Sequence, residues 1–132
     1  MTEMTIEIEE INYDCGFTLI LSDGELTFGR AHVIFNDDRK AQLADITIND
    51  SEFHPYPLLK LYKKKIRYRR QGYVTRLLNE VISRCNSKGV VEIVGNIHGD
   101  PKVLIPWYEK NGFTVSDKNG VLLITLKMFD WQ

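Results

Sequence analysis

The chain has 132 residues, 43% of them apolar and 27% charged, with a formal net charge of −1. That length predicts one domain over residues 1–132, with a core that needs no disulfide or metal staples. No run approaches the roughly eighteen apolar residues of a membrane span, and the near-neutral charge argues against a surface coated with nucleic acid.

Met1–Glu10 carries four glutamates and no basic residue, the reverse of a signal or transit peptide, so a cytoplasmic location is expected. Cys15 and Cys85 show no metal-ligand spacing and are expected as reduced thiols. The three histidines, His32, His54 and His98, are scattered, and no metal site is expected.

Thr5–Ile11 alternates and reads as a strand. Phe17–Leu21 is a short apolar run closed by Ser22-Asp23-Gly24. Leu26–Phe35 alternates again, with Gly29 as a candidate bulge. After the polar turn Asn36–Lys40, Ala41–Ile48 reads as a fourth strand, so the first fifty residues form an antiparallel meander. Ser51–Ile66 holds His54-Pro55-Tyr56-Pro57, whose prolines forbid a helix there, and reads as a loop followed by a short hairpin or helical turn.

Tyr73–Asn86 is the clearest helix. Val74, Leu77, Leu78, Val81, Ile82 and Cys85 recur at the spacing of one buried face, and Gly89 suits a left-handed cap. Val90–Ile97 reads as a central strand. Lys102–Lys110 places Val103, Leu104, Trp107 and Tyr108 on a helical face. Phe113–Val115 and Val121–Phe129 close the chain as strands around the turn dipeptide Asn119-Gly120. A helix between Ile48 and Val90 implies a parallel crossover in a mostly antiparallel sheet, hence an α+β or mixed α/β fold.

Eight of the seventeen Lys and Arg residues lie between Lys60 and Arg76. A local cationic patch in a neutral protein points to an anionic ligand. The patch runs into the main helix through Arg69-Arg70-Gln71-Gly72-Tyr73-Val74-Thr75. A helix start offers unpaired N–H groups and positive potential, which suits a pyrophosphate, and Gly72 lets the backbone close on it. The same residues also fit an ordinary turn glycine beside a solvated basic face.

Tyr68–Val74 with the helix after it resembles the coenzyme signature of the GNAT superfamily of N-acetyltransferases, Arg/Gln-x-x-Gly-x-Gly/Ala. Arg69 and Gly72 match, and Val74 stands where the signature has its second small residue. Trp107-Tyr108-Glu109-Lys110-Asn111-Gly112-Phe113 is similar to the C-terminal motif of that superfamily. Leu43–Ile48 resembles the strand beside the pantetheine arm. Two departures accompany these matches: the helices usually found between the first strands have no room, and Ser51–Ile66 is an insertion.

The resemblance implies a GNAT-like twisted sheet with a central parallel β-α-β crossover and N-terminal helices reduced or missing. It implies acetyl-CoA as acyl donor, held by Ile46, Thr47 and Ile48 and by Arg69, Arg70, Gln71, Gly72, Tyr73, Val74 and Thr75. An amine would attack the thioester directly in a ternary complex, with Tyr108 protonating the departing sulfur. Asp45, Glu92, His54 and His98 are candidates for a general base by residue type only. The alternatives are a non-catalytic acyl-CoA-binding module and nucleic-acid binding through Lys60–Arg76, with Tyr62, Tyr68 and Tyr73 as stacking groups. The Met128–Gln132 end, with Trp131, is open between packing on the sheet and a homodimer contact.

Overall fold

The computed structural model describes residues 6–23, 27–36, 38–48, 51–53, 64–66 and 72–128, with backbone alone at 51–53 and 64–66. Its elements are β1 (Glu7–Tyr13), β2 (Gly16–Ser22), β3 (Thr27–Phe35), β4 (Lys40–Ile48), β5 (Ser51–Phe53), β6 (Lys64–Ile66), α1 (Tyr73–Ser87), β7 (Glu92–Asn96), α2 (Pro101–Lys110), β8 (Thr114–Lys118) and β9 (Val121–Lys127). Seven strands form one sheet in the order β1-β2-β3-β4-β7-β9-β8. Among the described residues only β4 and β7 pair in parallel, across the crossover made by α1. The expected meander, crossover and closing hairpin are all present. β1 and β2 meet through a tight turn at Asp14–Cys15, with no helix between them.

The period-2 patterns of the strands determine which face is buried. Phe17, Leu19 and Leu21 of β2 stand opposite Val33, Ala31 and Gly29 of β3, which in turn face Leu43, Ile46 and Ile48 of β4. The same face continues through Ile93 of β7 and through Ile124 and Leu126 of β9. Onto it α1 lays Leu77, Leu78, Val81, Ile82 and Cys85, all fully buried. Burying each leucine of that set contributes roughly 2–3 kcal/mol. Tyr108 of α2 and the following Phe113 join the same cluster. Both helices thus lie on one face, and among the described residues no helix covers the other.

Local signals explain the helix boundaries. After α1, Gly89 takes φ 81°, and the amides of Gly89 and Val90 return to the carbonyls of Asn86 and Cys85 at 3.2 and 3.0 Å. This is the double closure that a left-handed glycine permits. Asp100 caps α2 by accepting from the Lys102 amide at 3.1 Å, and Pro101 follows where no donor is required. Asn119 and Gly120 both have positive φ in the β8–β9 turn, as Asn-Gly predicts.

Three details differ from expectation. The bulge near Gly29 falls one residue earlier: Leu21 pairs with Gly29 and Ser22 with Thr27, leaving Phe28 as the extra residue. Val103 is 63% exposed and not on the buried face of α2. The Ser51–Ile66 insertion begins and ends in the strands of an antiparallel hairpin, β5 with β6. Its His54-Pro55-Tyr56-Pro57 run, like Trp131, lies outside the described residues.

Candidate functional site

A second bulge shapes the centre of the sheet. His32 pairs with Asp45 but Val33 pairs with Leu43, so Ala44 is an extra residue in β4. An inserted residue bends its strand and increases local twist. Just there β4 leaves β7: their pairing runs from Lys40–Glu92 to Leu43–Gly95 and stops, while β4 stays paired with β3 as far as Ile48. Gly95 permits the close final rung, because a Cβ there would stand 3.1 Å from the Leu43 carbonyl oxygen. Beyond it a cleft of about 210 Å³ opens, lined by Leu43, Ala44, Asp45, Ile46, Thr47, Asn96, His98 and Tyr108. Alternate amides along a strand point to opposite edges, so the β4 segment past Leu43 presents N–H and C=O groups to this gap.

The start of α1 lies at the same end of the sheet. Gly72 is left-handed at φ 74° and as N-cap residue offers no side-chain cap, and the first turn holds no acidic residue. The first intrahelical bond is from the Arg76 amide to the Gly72 carbonyl at 3.1 Å, so the Val74 and Thr75 amides have no acceptor within the helix. A Cβ on Gly72 would meet nothing within 4 Å, leaving open space in front of the turn. Val74, which replaces a small residue of the signature, packs its side chain against the core. Tyr73 packs edge-on to Phe28, with centroids 5.1 Å apart. Arg69, Arg70 and Gln71 lie outside the described residues, as does most of Lys60–Arg76.

Tyr108 links these two parts. The Trp107 indole N–H donates to Thr75 Oγ1 at 2.8 Å, tying α2 to the first turn of α1. The Tyr108 ring is 6% exposed and wedged edge-on between Trp107 and Phe113, at 4.7 and 5.5 Å. Its hydroxyl has no hydrogen bond among the described residues, yet no buried side-chain oxygen there lacks a partner, so the phenol tip opens onto the cleft. Burial pushes its pKa above the ordinary tyrosine value. A phenol kept protonated at neutral pH can donate a proton to a leaving group.

The remaining candidates separate by position. Asp45 and His98 line the cleft. Glu92 is at the far end of β7, 3.8 Å from Lys40 Nζ. His54 lies outside the described residues. Asn96 and Ala44, which sequence alone did not single out, also line the cleft; the end of an apolar strand was the available signal for Asn96. A separate hollow of about 410 Å³, lined by Phe35, Arg39, Lys40, Lys88 and Val90 among others, lies at the opposite end of β4 and α1. It contains none of these groups. Among the described residues, no three His, Cys, Asp or Glu side chains converge as metal ligands.

No family model matches the sequence, and no curated protein matches it significantly. Solved structures do match. The PaiA N-acetyltransferase of Thermoplasma acidophilum, in complex with coenzyme A, superposes with a TM-score of 0.62 at 21% identity, over 83% of this chain and 59% of that one. A GNAT family acetyltransferase of Elizabethkingia anophelis with acetyl-CoA bound gives 0.67 at 16% identity, over 92% and 97% of the two chains. The ribosomal-protein-S18-alanine N-acetyltransferase of Escherichia coli gives 0.65 at 16%, over 89% and 72%. The chain therefore has the fold of the GNAT acetyltransferases. No helix among the described residues is long and apolar enough to cross a membrane.

Proposed function

We propose that this GNAT-fold chain, acting as one domain over residues 1–132, is a cytoplasmic acetyl-CoA-dependent N-acetyltransferase. The carrying observation is the opening of β4 away from β7 beyond Leu43, with the glycine-led start of α1 and the Tyr108 phenol directed to the same end. The structural neighbours crystallised with coenzyme A or acetyl-CoA support acetyl-CoA as donor.

The cosubstrate supplies an acyl group activated as a thioester. The Val74 and Thr75 amides, with Gly72, Tyr73, Gln71, Arg69 and Arg70, bind its pyrophosphate. Ile46, Thr47 and Ile48 hold the pantetheine along the edge of β4 that faces the cleft, and an amide of that edge polarises the carbonyl; one such donor is worth roughly 3–4 kcal/mol. The acceptor amine forms its C–N bond as the C–S bond breaks. The attacking nitrogen releases a proton to solvent, Tyr108 gives one to the sulfur, and the phenolate recovers it from solvent.

Calorimetric titration with acetyl-CoA tests the binding half. Gly72→Asp should abolish binding by placing an anion at the turn. Gly72→Asn, of similar size and equally tolerant of left-handed backbone, should retain most of it. Equal loss in both variants would mean that backbone geometry and not charge governs the turn. No binding by the folded wild-type protein would overturn the proposal.

A further inference from the structure

The face of the sheet opposite α1 and α2 carries a trough of about 440 Å³ lined by Ile11, Tyr13, Thr18, Ile20, Arg30, His32 and Asp45. Asp45 lines this trough and the cleft alike, because the bulge at Ala44 carries it to the point where β4 leaves β7. An acceptor lying in the trough therefore reaches the cleft at Asp45.

The trough has two kinds of surface. Ile11, Ile20 and the half-exposed ring of Tyr13 give it an apolar floor. At the cleft end Arg30 faces Asp45 at 3.6 Å, with side chains 62% and 43% exposed. That separation is longer than the roughly 2.7–2.9 Å of a tight charge-assisted bond, so the pair exchanges readily for outside partners. Thr18 Oγ1 and His32 Nδ1 lie 2.7 Å apart, which holds the imidazole against the trough wall beside Tyr13. A carboxylate and a guanidinium side by side complement a ligand carrying an ammonium and a carboxylate on neighbouring atoms, while an apolar floor complements its side chain.

We infer that the trough is the acceptor subsite and takes an α-amino acid with an apolar side chain. Asp45 receives the ammonium at the mouth of the cleft, where it loses one proton to solvent before attacking as the amine, Arg30 takes the carboxylate, and Ile11, Ile20 and Tyr13 receive the side chain. The inference deepens the proposed function and rests on it for turnover, but occupancy of the trough is measurable alone.

The test uses the full chain with ¹³C-labelled isoleucine methyl groups, titrated with L-phenylalanine and followed by NMR. The Ile11 and Ile20 methyls should shift in a saturable manner while those of the core residues Ile82, Ile93 and Ile124 stay fixed. Arg30→Gln should weaken L-phenylalanine at least tenfold and leave phenethylamine, which lacks the carboxylate, unchanged. Asp45→Asn should weaken both. Phenethylamine binding as tightly as L-phenylalanine to the wild type, or no shift at Ile11 and Ile20, overturns the assignment. L-phenylalanine shifts without acetyl-CoA binding in a parallel titration would keep the subsite and sink the acetyltransferase reading instead.

Discussion

Trp107 and Thr75 are joined by one hydrogen bond of 2.8 Å, from the indole N–H to the threonine hydroxyl, across 32 positions of sequence. The bond fixes the first turn of α1 against α2, the helix that carries Tyr108. Thr75→Val keeps the shape and removes the acceptor, leaving a part-buried donor unsatisfied. Stability in urea should fall by about 1–2 kcal/mol, and acetyl-CoA affinity should fall with it, since the turn loses its brace.

Tyr108→Phe separates chemistry from packing. The ring keeps its contacts with Trp107 and Phe113, and the lost hydroxyl has no partner among the described residues. Urea unfolding and coenzyme affinity should therefore stay near wild type, whereas kcat should drop about 100-fold or more. The raised pKa predicts the direction of the pH limb. A proton donor is lost only as pH rises through its own pKa, so the Tyr108-dependent fall in kcat should lie above the ordinary tyrosine value.

Glu10 on β1 accepts hydrogen bonds from Arg84 at 3.0 Å, Lys88 at 3.1 Å and Asn12 at 2.8 Å. Burial opposes its ionisation, but the bonds from Arg84, Asn12 and Lys88 outweigh it and lower the pKa to about 2. A folded pKa below the unfolded one stabilises above the unfolded value, and that stability is lost as pH falls towards 2. Glu10→Gln should cost about 1–2 kcal/mol at pH 7, after discounting for screening of partly exposed groups. The difference from wild type should vanish between about pH 4.5 and 2, read by denaturant unfolding across that range.

The two cysteines are both free, Cys15 exposed and Cys85 buried under α1. Burial pushes the Cys85 thiol up to about 12. Iodoacetamide on the native protein at pH 8 should add one label, at Cys15, and a second only after unfolding, as mass spectrometry of peptides would show.

Gly95→Ala tests the hinge of the cleft. The new Cβ would press on the Leu43 carbonyl and on Ile124, at 3.1 and 3.3 Å. Overpacking at this joint should cost about 1–3 kcal/mol in urea unfolding, and the altered spacing of β4 and β7 should weaken acetyl-CoA binding.

The legible parts of the sequence were those governed by local periodicity and by special backbone. Leu77, Leu78, Val81, Ile82 and Cys85 at helical spacing mark α1, and Gly89 and Asn119-Gly120 mark turns that require positive φ. Less legible were features set by pairing partners. The extra residue at Ala44 depends on how β4 aligns with β3, and no property of an alanine shows it. The outward position of Val103 depends on which face of α2 the sheet claims. In the candidate site, Tyr108 was found through a motif and not through spacing. Asn96 went unnoticed because an asparagine ending a strand looks like any strand end until the neighbouring strand turns away.

The joint between β4 and β7 has four residue pairs, against seven on the other side of β4. It is the seam between an N-terminal half, whose strands β1 to β4 find their partners locally, and a C-terminal half built from β7, β8 and β9. Within the sheet the two halves pair through chain segments some fifty residues apart, so this seam is the long-range joint of the fold and carries the largest loop-closure cost of any strand pairing described. The cleft is the unsewn continuation of that seam. Its inner end is set by a single rung, Leu43 with Gly95.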